Sequence, residues 1–158
     1  MKNLLKSLDA CGPARDWVGD KSSTEAWETC ERADWMLWLL AMMADKPGWP
    51  TAGVVRHCAC DCAYTALRFV PYGEGRPARA VAVARLYADG LATGDDLAAA
   101  RGAAYAAGNA AYAAGDAAYD AYAAWDVAWA AAHAARDAAM KSVADLIRKR
   151  VPTIPEVV

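Results

Sequence analysis

The chain has 158 residues, 17 Lys and Arg against 19 Asp and Glu, and a formal net charge of −2. That length suffices for one domain with a core that needs no disulfide or metal staple, and the near-neutral charge argues against coating a nucleic acid. The five cysteines are odd in number and no export signal precedes them, because Asp9 interrupts MKNLLKSLDA short of an apolar signal core; reduced thiols in a cytoplasmic protein are expected.

Helix signals run from end to end, with no sustained strand alternation. A first short helix is expected from Asn3 to Asp9, stopping at Gly12-Pro13, and a second from Pro13 with Trp17 on its inner side. Ser22 followed three residues later by Glu25 is a capping box that starts a helix carrying Trp27. That helix can run directly into Asp34–Leu40, the most hydrophobic part of the chain. Pro47-Gly48-Trp49-Pro50 is a break, after which Pro50 sits well for the first position of a helix to about Val70. Pro71 to Gly75 forms a loop, Arg76-Pro77 opens the next helix, and that helix ends near Gly90. Thr93 with Asp96 caps a long alanine helix, Arg148-Lys149-Arg150 complements its C-terminal dipole, and Pro152 and Pro155 make an extended tail. The domain reading is thus one helical domain over 1–150 and a tail over 151–158.

From Ala103 to about Met140 the chain repeats every seven residues, from AAYAAGN at Ala103 and AAYAAGD at Ala110 to AAMKSVA at Ala138. An unbroken helix from Asp95 to Arg150 would be roughly 80 Å long, against a diameter of about 40 Å for a compact chain of this size. The segment is expected to fold back on itself, Gly108 and Gly115 being places to bend or close-packing notches, or else to pair with another copy. Between Arg101 and Arg136 there is no Lys or Arg, so the tract is expected to be covered on most sides. A membrane span is excluded by Asp116, Asp120 and Asp126. The fold class is therefore all-α, a helical bundle with an alanine-rich heptad segment folded back or paired in an oligomer.

Three constellations could carry chemistry. His57-Cys58-Ala59-Cys60-Asp61-Cys62 has the residue types of a metal site. On a helix, however, Cys58 and Cys62 share a face and Cys60 points the other way, so packing is expected and no metal or other cofactor. Asp126, His133 and Asp137 can share an acid–histidine hydrogen bond but lack a nucleophile at helical spacing, so no catalysis is expected. The third is arginine beside aromatic residues: Arg32, Asp34, Trp35 and Trp38 on one helix, and Arg56, Asp61, Arg76, Arg79 and Arg85 along the middle two, with Arg68 nearby. Seven tryptophans and seven tyrosines against one phenylalanine favour rings with a polar handle, the side chains of surfaces that bind. Guanidinium forks beside such rings suit a phosphorylated ligand as well as a protein partner. The rival reading makes the tryptophans core and the arginines a solvated rim.

The blocks Cys30–Leu39 (CERADWMLWL), Cys60–Leu67 (CDCAYTAL) and Arg76–Arg79 (RPAR) through Thr93, followed by the alanine repeat, resemble the immunity-five-like family of small alanine-rich helical proteins from bacteria and phages. The resemblance covers Trp27 to Arg150, and Leu86 and Asp89 stand where that family carries a more basic stretch. It implies a non-catalytic protein of immunity or counter-defence type that neutralises a toxin or immune effector by occupying it. The alternative is an oligomeric sponge that sequesters a small nucleotide signal. Nucleic acid and membrane are not expected as partners; a second copy of the chain is possible under either reading.

Overall fold

The computed structural model describes residues 1–70, 72–103 and 139–157. The fold is all-helical, with no strand among the described residues. In chain order the helices are α1 (Lys2–Ser7), α2 (Gly12–Val18), α3 (Ser23–Thr29), α4 (Ala33–Met43), α5 (Ala52–Ala66), α6 (Arg76–Ala88), α7 (described over 94–103) and α8 (described over 139–150), with a 3-10 turn at Leu67–Phe69 after α5. The heptad tract over 104–138, with the bends expected at Gly108 and Gly115 and the acid–histidine set Asp126, His133 and Asp137, lies outside the described residues.

The chain divides into two compact units, Met1–Cys58 with Ala139–Val158, and Ala59–Ala138. In the first, short helices pack a core of Leu5, Val18, Trp27, Met36, Leu40, Ile147 and Ile154. Leu40 and Ile147 are fully buried, each such side chain contributing about 1.5–3 kcal/mol through removal from water. Helices α1 to α3 are seven residues or fewer, too short to persist alone, so this packing holds them in place.

Local chemistry sets most boundaries. The Ser22 hydroxyl accepts from the Glu25 N–H at 3.0 Å and starts α3 as expected. The structure differs after it: α3 does not continue into α4, because Cys30 is extended and Arg32 non-helical. The carbonyls orphaned at the end of α3 find a donor far along the chain. The Arg148 guanidinium donates to the Trp27 carbonyl at 3.1 Å and to the Cys30 carbonyl at 2.8 Å. Arg148, read from sequence as a complement to its own helix dipole, therefore closes another helix's end, while Asp145 holds its other nitrogen at 2.8 Å.

Pro50 also falls two positions before the helix it was expected to open. The helix begins at Ala52, whose N–H is taken by the Asp45 carboxylate at 3.0 Å, and the Thr51 hydroxyl accepts from the Val54 N–H at 3.3 Å. Asp45 itself has a positive φ of 63°, which a short acceptor side chain tolerates better than most. At the other end, the helix that begins at Ala52 gives way to the 3-10 turn at Leu67.

The segment after α8 is built into the first unit. Val151 and Ile154 are buried, and the Val151 carbonyl accepts from Trp27 Nε1 at 3.0 Å. Ser23, the one buried polar residue among those described, accepts from the Val157 N–H at 3.0 Å, and the Ser23 N–H goes to Glu156 at 3.0 Å. Pro155 lies so close to Gly48, which has φ +79°, that a Cβ there would sit 3.2 Å from the Pro155 ring. Only glycine suits both the backbone conformation and that approach.

In the second unit, Thr93 and Asp96 form a reciprocal cap: the Thr93 hydroxyl accepts from the Asp96 N–H at 3.2 Å and the Asp96 carboxylate accepts from the Thr93 N–H at 2.9 Å. Helix α6 buries none of its residues.

Replacing Arg148 with Met should leave the Trp27 and Cys30 carbonyls without their donor and lower unfolding free energy by about 2–3 kcal/mol. Arg148→Lys should recover only part of this, since Nη1 serves both carbonyls while Nη2 is anchored on Asp145, and a lone ammonium lacks that second, separately anchored nitrogen. Urea denaturation of the two variants beside the wild type measures both.

Candidate functional site

The first unit encloses a cavity of about 590 Å³, within the range of about 300–1,000 Å³ found for small-molecule sites. It lies among α1 to α4 and is walled mainly by apolar side chains, including Leu5, Ala14, Val18, Met36 and Leu39. Four of the chain's seven tryptophans, Trp17, Trp27, Trp35 and Trp38, contribute to the wall. Trp27 is buried, whereas Trp17, Trp35 and Trp38 are partly exposed.

The helices place these rings for local reasons. Trp35, Trp38 and Leu39 lie three and four residues apart on α4 and so share one of its faces. Trp17 comes from α2, which Pro13 opens in its first turn. The Trp17 and Trp35 ring centroids are 6.1 Å apart with planes inclined at 58°, a tilted aromatic pair. Lys21 Nζ sits 4.7 Å from the Trp17 ring centroid and the Arg32 guanidinium 4.4 Å from that of Trp35. Each is within the range of a cation–π contact.

The charges on the wall are engaged. Arg32 donates from Nε to one Asp34 oxygen at 2.9 Å and from Nη2 to the other at 2.6 Å. This fork holds the Asp34 carboxyl below its usual value, the hydrogen bond to Arg32 being the main cause. Both side chains stay exposed to water, so the pair contributes little to stability and instead fixes where the two groups stand. Cys30 is buried and its thiol is pushed up by desolvation, which keeps it protonated at neutral pH.

The structure therefore gathers four of the residues singled out from sequence, Arg32, Asp34, Trp35 and Trp38, around one cavity. The others stand elsewhere. Arg56 is an exposed residue of α5 and does not line it. Asp61 and Arg85 meet in the second unit at 2.8 Å, with the Arg85 guanidinium 5.9 Å from the Tyr64 ring centroid. Arg76 is forked onto its near neighbour Glu74, at 2.8 Å from Nε to Oε1, and Arg79 is exposed on α6. Sequence reasoning did not assign Trp17, Asp9, Cys11 or Trp27 to the site; Trp17 carried the one signal, as a tryptophan placed on the inner side of its helix.

All five cysteines are thiols. Cys58 and Cys60 are both buried and Cys62 is half-buried. Among the described residues, no group of three His, Cys, Asp or Glu side chains converges as metal ligands would, and no helix is long and apolar enough to cross a membrane.

The Glu74 carboxyl, held by the Arg76 fork, is lowered from 4.5 to about 2. Its folded value lies below its unfolded one, so whatever this pair adds to stability is present above about pH 4.5 and is lost as pH falls toward 2. Carbon-detected NMR titration should find Glu74 still ionised at pH 3.5, and Arg76→Ala should return it to the ordinary carboxylate range.

Against protein-family models, curated proteins and solved structures, the chain has no match.

Proposed function

We propose that this protein acts by binding and not by catalysis, as an immunity or counter-defence protein that neutralises a toxin or immune effector by occupying it, and that the tryptophan-walled cavity of the first unit is the seat of that binding. The observation that carries the reading is the convergence of Trp17, Trp35 and Trp38 on one cavity of about 590 Å³ while each stays partly exposed. Tryptophan in a desolvated pocket is the side chain with which binding surfaces most often concentrate their energy. Core tryptophans without a binding role would be covered as Trp27 is.

The chemistry of the wall supports binding over turnover. Its acids and thiols are Asp9, Cys11, Cys30 and Asp34, with no histidine among its lining residues to serve as a base. Asp34 is held ionised by Arg32, and Cys30 is held protonated by burial, so neither is poised near neutral pH for proton transfer or attack.

The sponge reading draws less support. A nucleotide phosphate would seek an arginine fork, and the forks of Arg32, Arg76 and Arg85 each face a carboxylate, on Asp34, Glu74 and Asp61. The segments that resemble the immunity-five-like family include Cys30–Leu39, the stretch that supplies Arg32, Asp34, Trp35 and Trp38, which is consistent with binding by this region.

Ala14 is buried and lines the cavity, so Ala14→Leu should fill part of it at little cost to folding. We expect that variant to melt within a few degrees of the wild type and to lose stoichiometric co-purification with the effector that the wild type retains. A panel of nucleotides at millimolar concentration should leave the melting temperature unchanged. A rise of several degrees with any of them, abolished by Ala14→Leu, would replace this reading with the sponge, because a ligand bound only by the folded state raises the melting point by mass action.

A further inference from the structure

The cavity wall specifies what it accepts more closely than its apolar character alone. Of its four indole N–H groups, the one on Trp27 is spent on the Val151 carbonyl at 3.0 Å. Among the described residues, no protein acceptor takes the N–H of Trp17, Trp35 or Trp38, and no buried side-chain polar atom lacks a partner, so these three donors meet solvent and are not sealed into the wall. A tryptophan N–H in an apolar setting ordinarily finds an acceptor. Here three of the residues that line the cavity keep an indole N–H with no protein partner among the described residues.

The charges on the wall cancel. The Arg32 guanidinium and the Met1 ammonium, the latter donating to the Val157 carbonyl at 3.1 Å, stand against the carboxylates of Asp9 and Asp34. Arg32 is committed twice, by its fork on Asp34 and by its seat over the Trp35 ring. An entering anion would have to break that fork while facing two carboxylates.

From these features we infer that the cavity takes a small, flat, uncharged aromatic ring bearing hydrogen-bond acceptors, which the indole walls stack and their N–H groups hold, and that it turns away phosphorylated forms of the same ring. This rests on the cavity being the seat of binding, as proposed above. Arg32 and Asp34 are then specificity-determining residues. Asp34 occupies the guanidinium that would otherwise welcome a phosphate.

Two sources of such a ring are distinguishable: a partner's aromatic side chain, represented by N-acetyltyrosinamide, and a free heterocycle, represented by adenosine. The test titrates ¹⁵N-labelled protein with each, with AMP and with 1-octanol, following the indole N–H resonances. The expected result is movement of the Trp17, Trp35 and Trp38 signals, with that of Trp27 still, on adding at least one of the two neutral rings. Movement with the tyrosine probe alone identifies a side-chain source, and with adenosine alone a free heterocycle. In the adenosine case AMP should bind about tenfold more weakly than adenosine, a difference of about 1.4 kcal/mol. Asp34→Asn should then close that gap, and Trp38→Phe, which keeps a ring but removes a donor, should weaken ring binding several-fold while the melting temperature holds.

AMP binding as tightly as adenosine to the wild type would overturn the inference. So would movement by octanol alone, which would leave the cavity as a binding seat of aliphatic preference and the proposed function standing. If no probe of any class moves these resonances, the inference and the cavity's place in the proposed function both fall.

Discussion

The first unit depends on one half-buried guanidinium. Arg148 reaches the Trp27 and Cys30 carbonyls from 121 and 118 residues away and supplies the donors that the end of α3 lacks. A helix of seven residues leaves a large share of its backbone groups without internal partners, and burying such an end without donors would cost more than the helix contributes. With Arg148 in place the chain can turn sharply at Cys30 and redirect into α4. The neighbouring Val151 carbonyl adds a second tie by accepting from the indole of Trp27. Trp27 is thus bonded on both its backbone and its side chain by the segment that closes the unit.

That tie explains why the cavity can exist at all. An apolar cavity lowers stability because its lining loses contacts on one side. Here Trp27 and Met36 are buried and are met by Val151 and Arg148, and Ile147 and Val151 are buried too. The tilted Trp17–Trp35 pair and its two seated cations fix the rings on the open side. Large rigid rings with few rotatable bonds are suited to this, since holding them ready costs less conformational entropy than holding flexible aliphatic chains. Tryptophan in place of phenylalanine then adds what phenylalanine lacks, a donor at the rim of an apolar wall.

What was legible in the sequence was the local chemistry. Ser22 with Glu25, Thr93 with Asp96, and the Pro47–Pro50 break could be read because each acts over a few residues. The all-helical class followed from the same kind of signal. The cluster Arg32, Asp34, Trp35 and Trp38 marked one part of the cavity wall, since α4 and its N-cap carry those residues on adjacent turns. The remainder was set by contacts between distant parts of the chain. Nothing near Cys30 announces a helix end, because its donor is Arg148, and nothing in a segment containing Pro152 and Pro155 announces that its carbonyls and N–H groups will bind Trp27 and Ser23. Pro50 misled for a related reason: the first N–H of α5 is served by the Asp45 side chain across the turn, which moves the helix start to Ala52.

The arginines show where composition and chemistry part. Read as a cluster, they suggest an anion site. In the structure Arg32 has its acid two residues away, Arg76 has its acid two residues away, and Arg148 has one three residues away. Such close sequence neighbours meet at little entropic cost, so these pairs form locally and an incoming phosphate must displace a carboxylate that is always near. The aromatic residues have no such local competitors. Lys21 and Arg32 occupy ring faces of Trp17 and Trp35, but among the described residues no protein group takes the three indole donors, and of the wall's polar groups these carry the fewest prior commitments. On the proposed reading, recognition in this cavity falls to ring faces and N–H groups, with the charged residues at its edge acting to exclude.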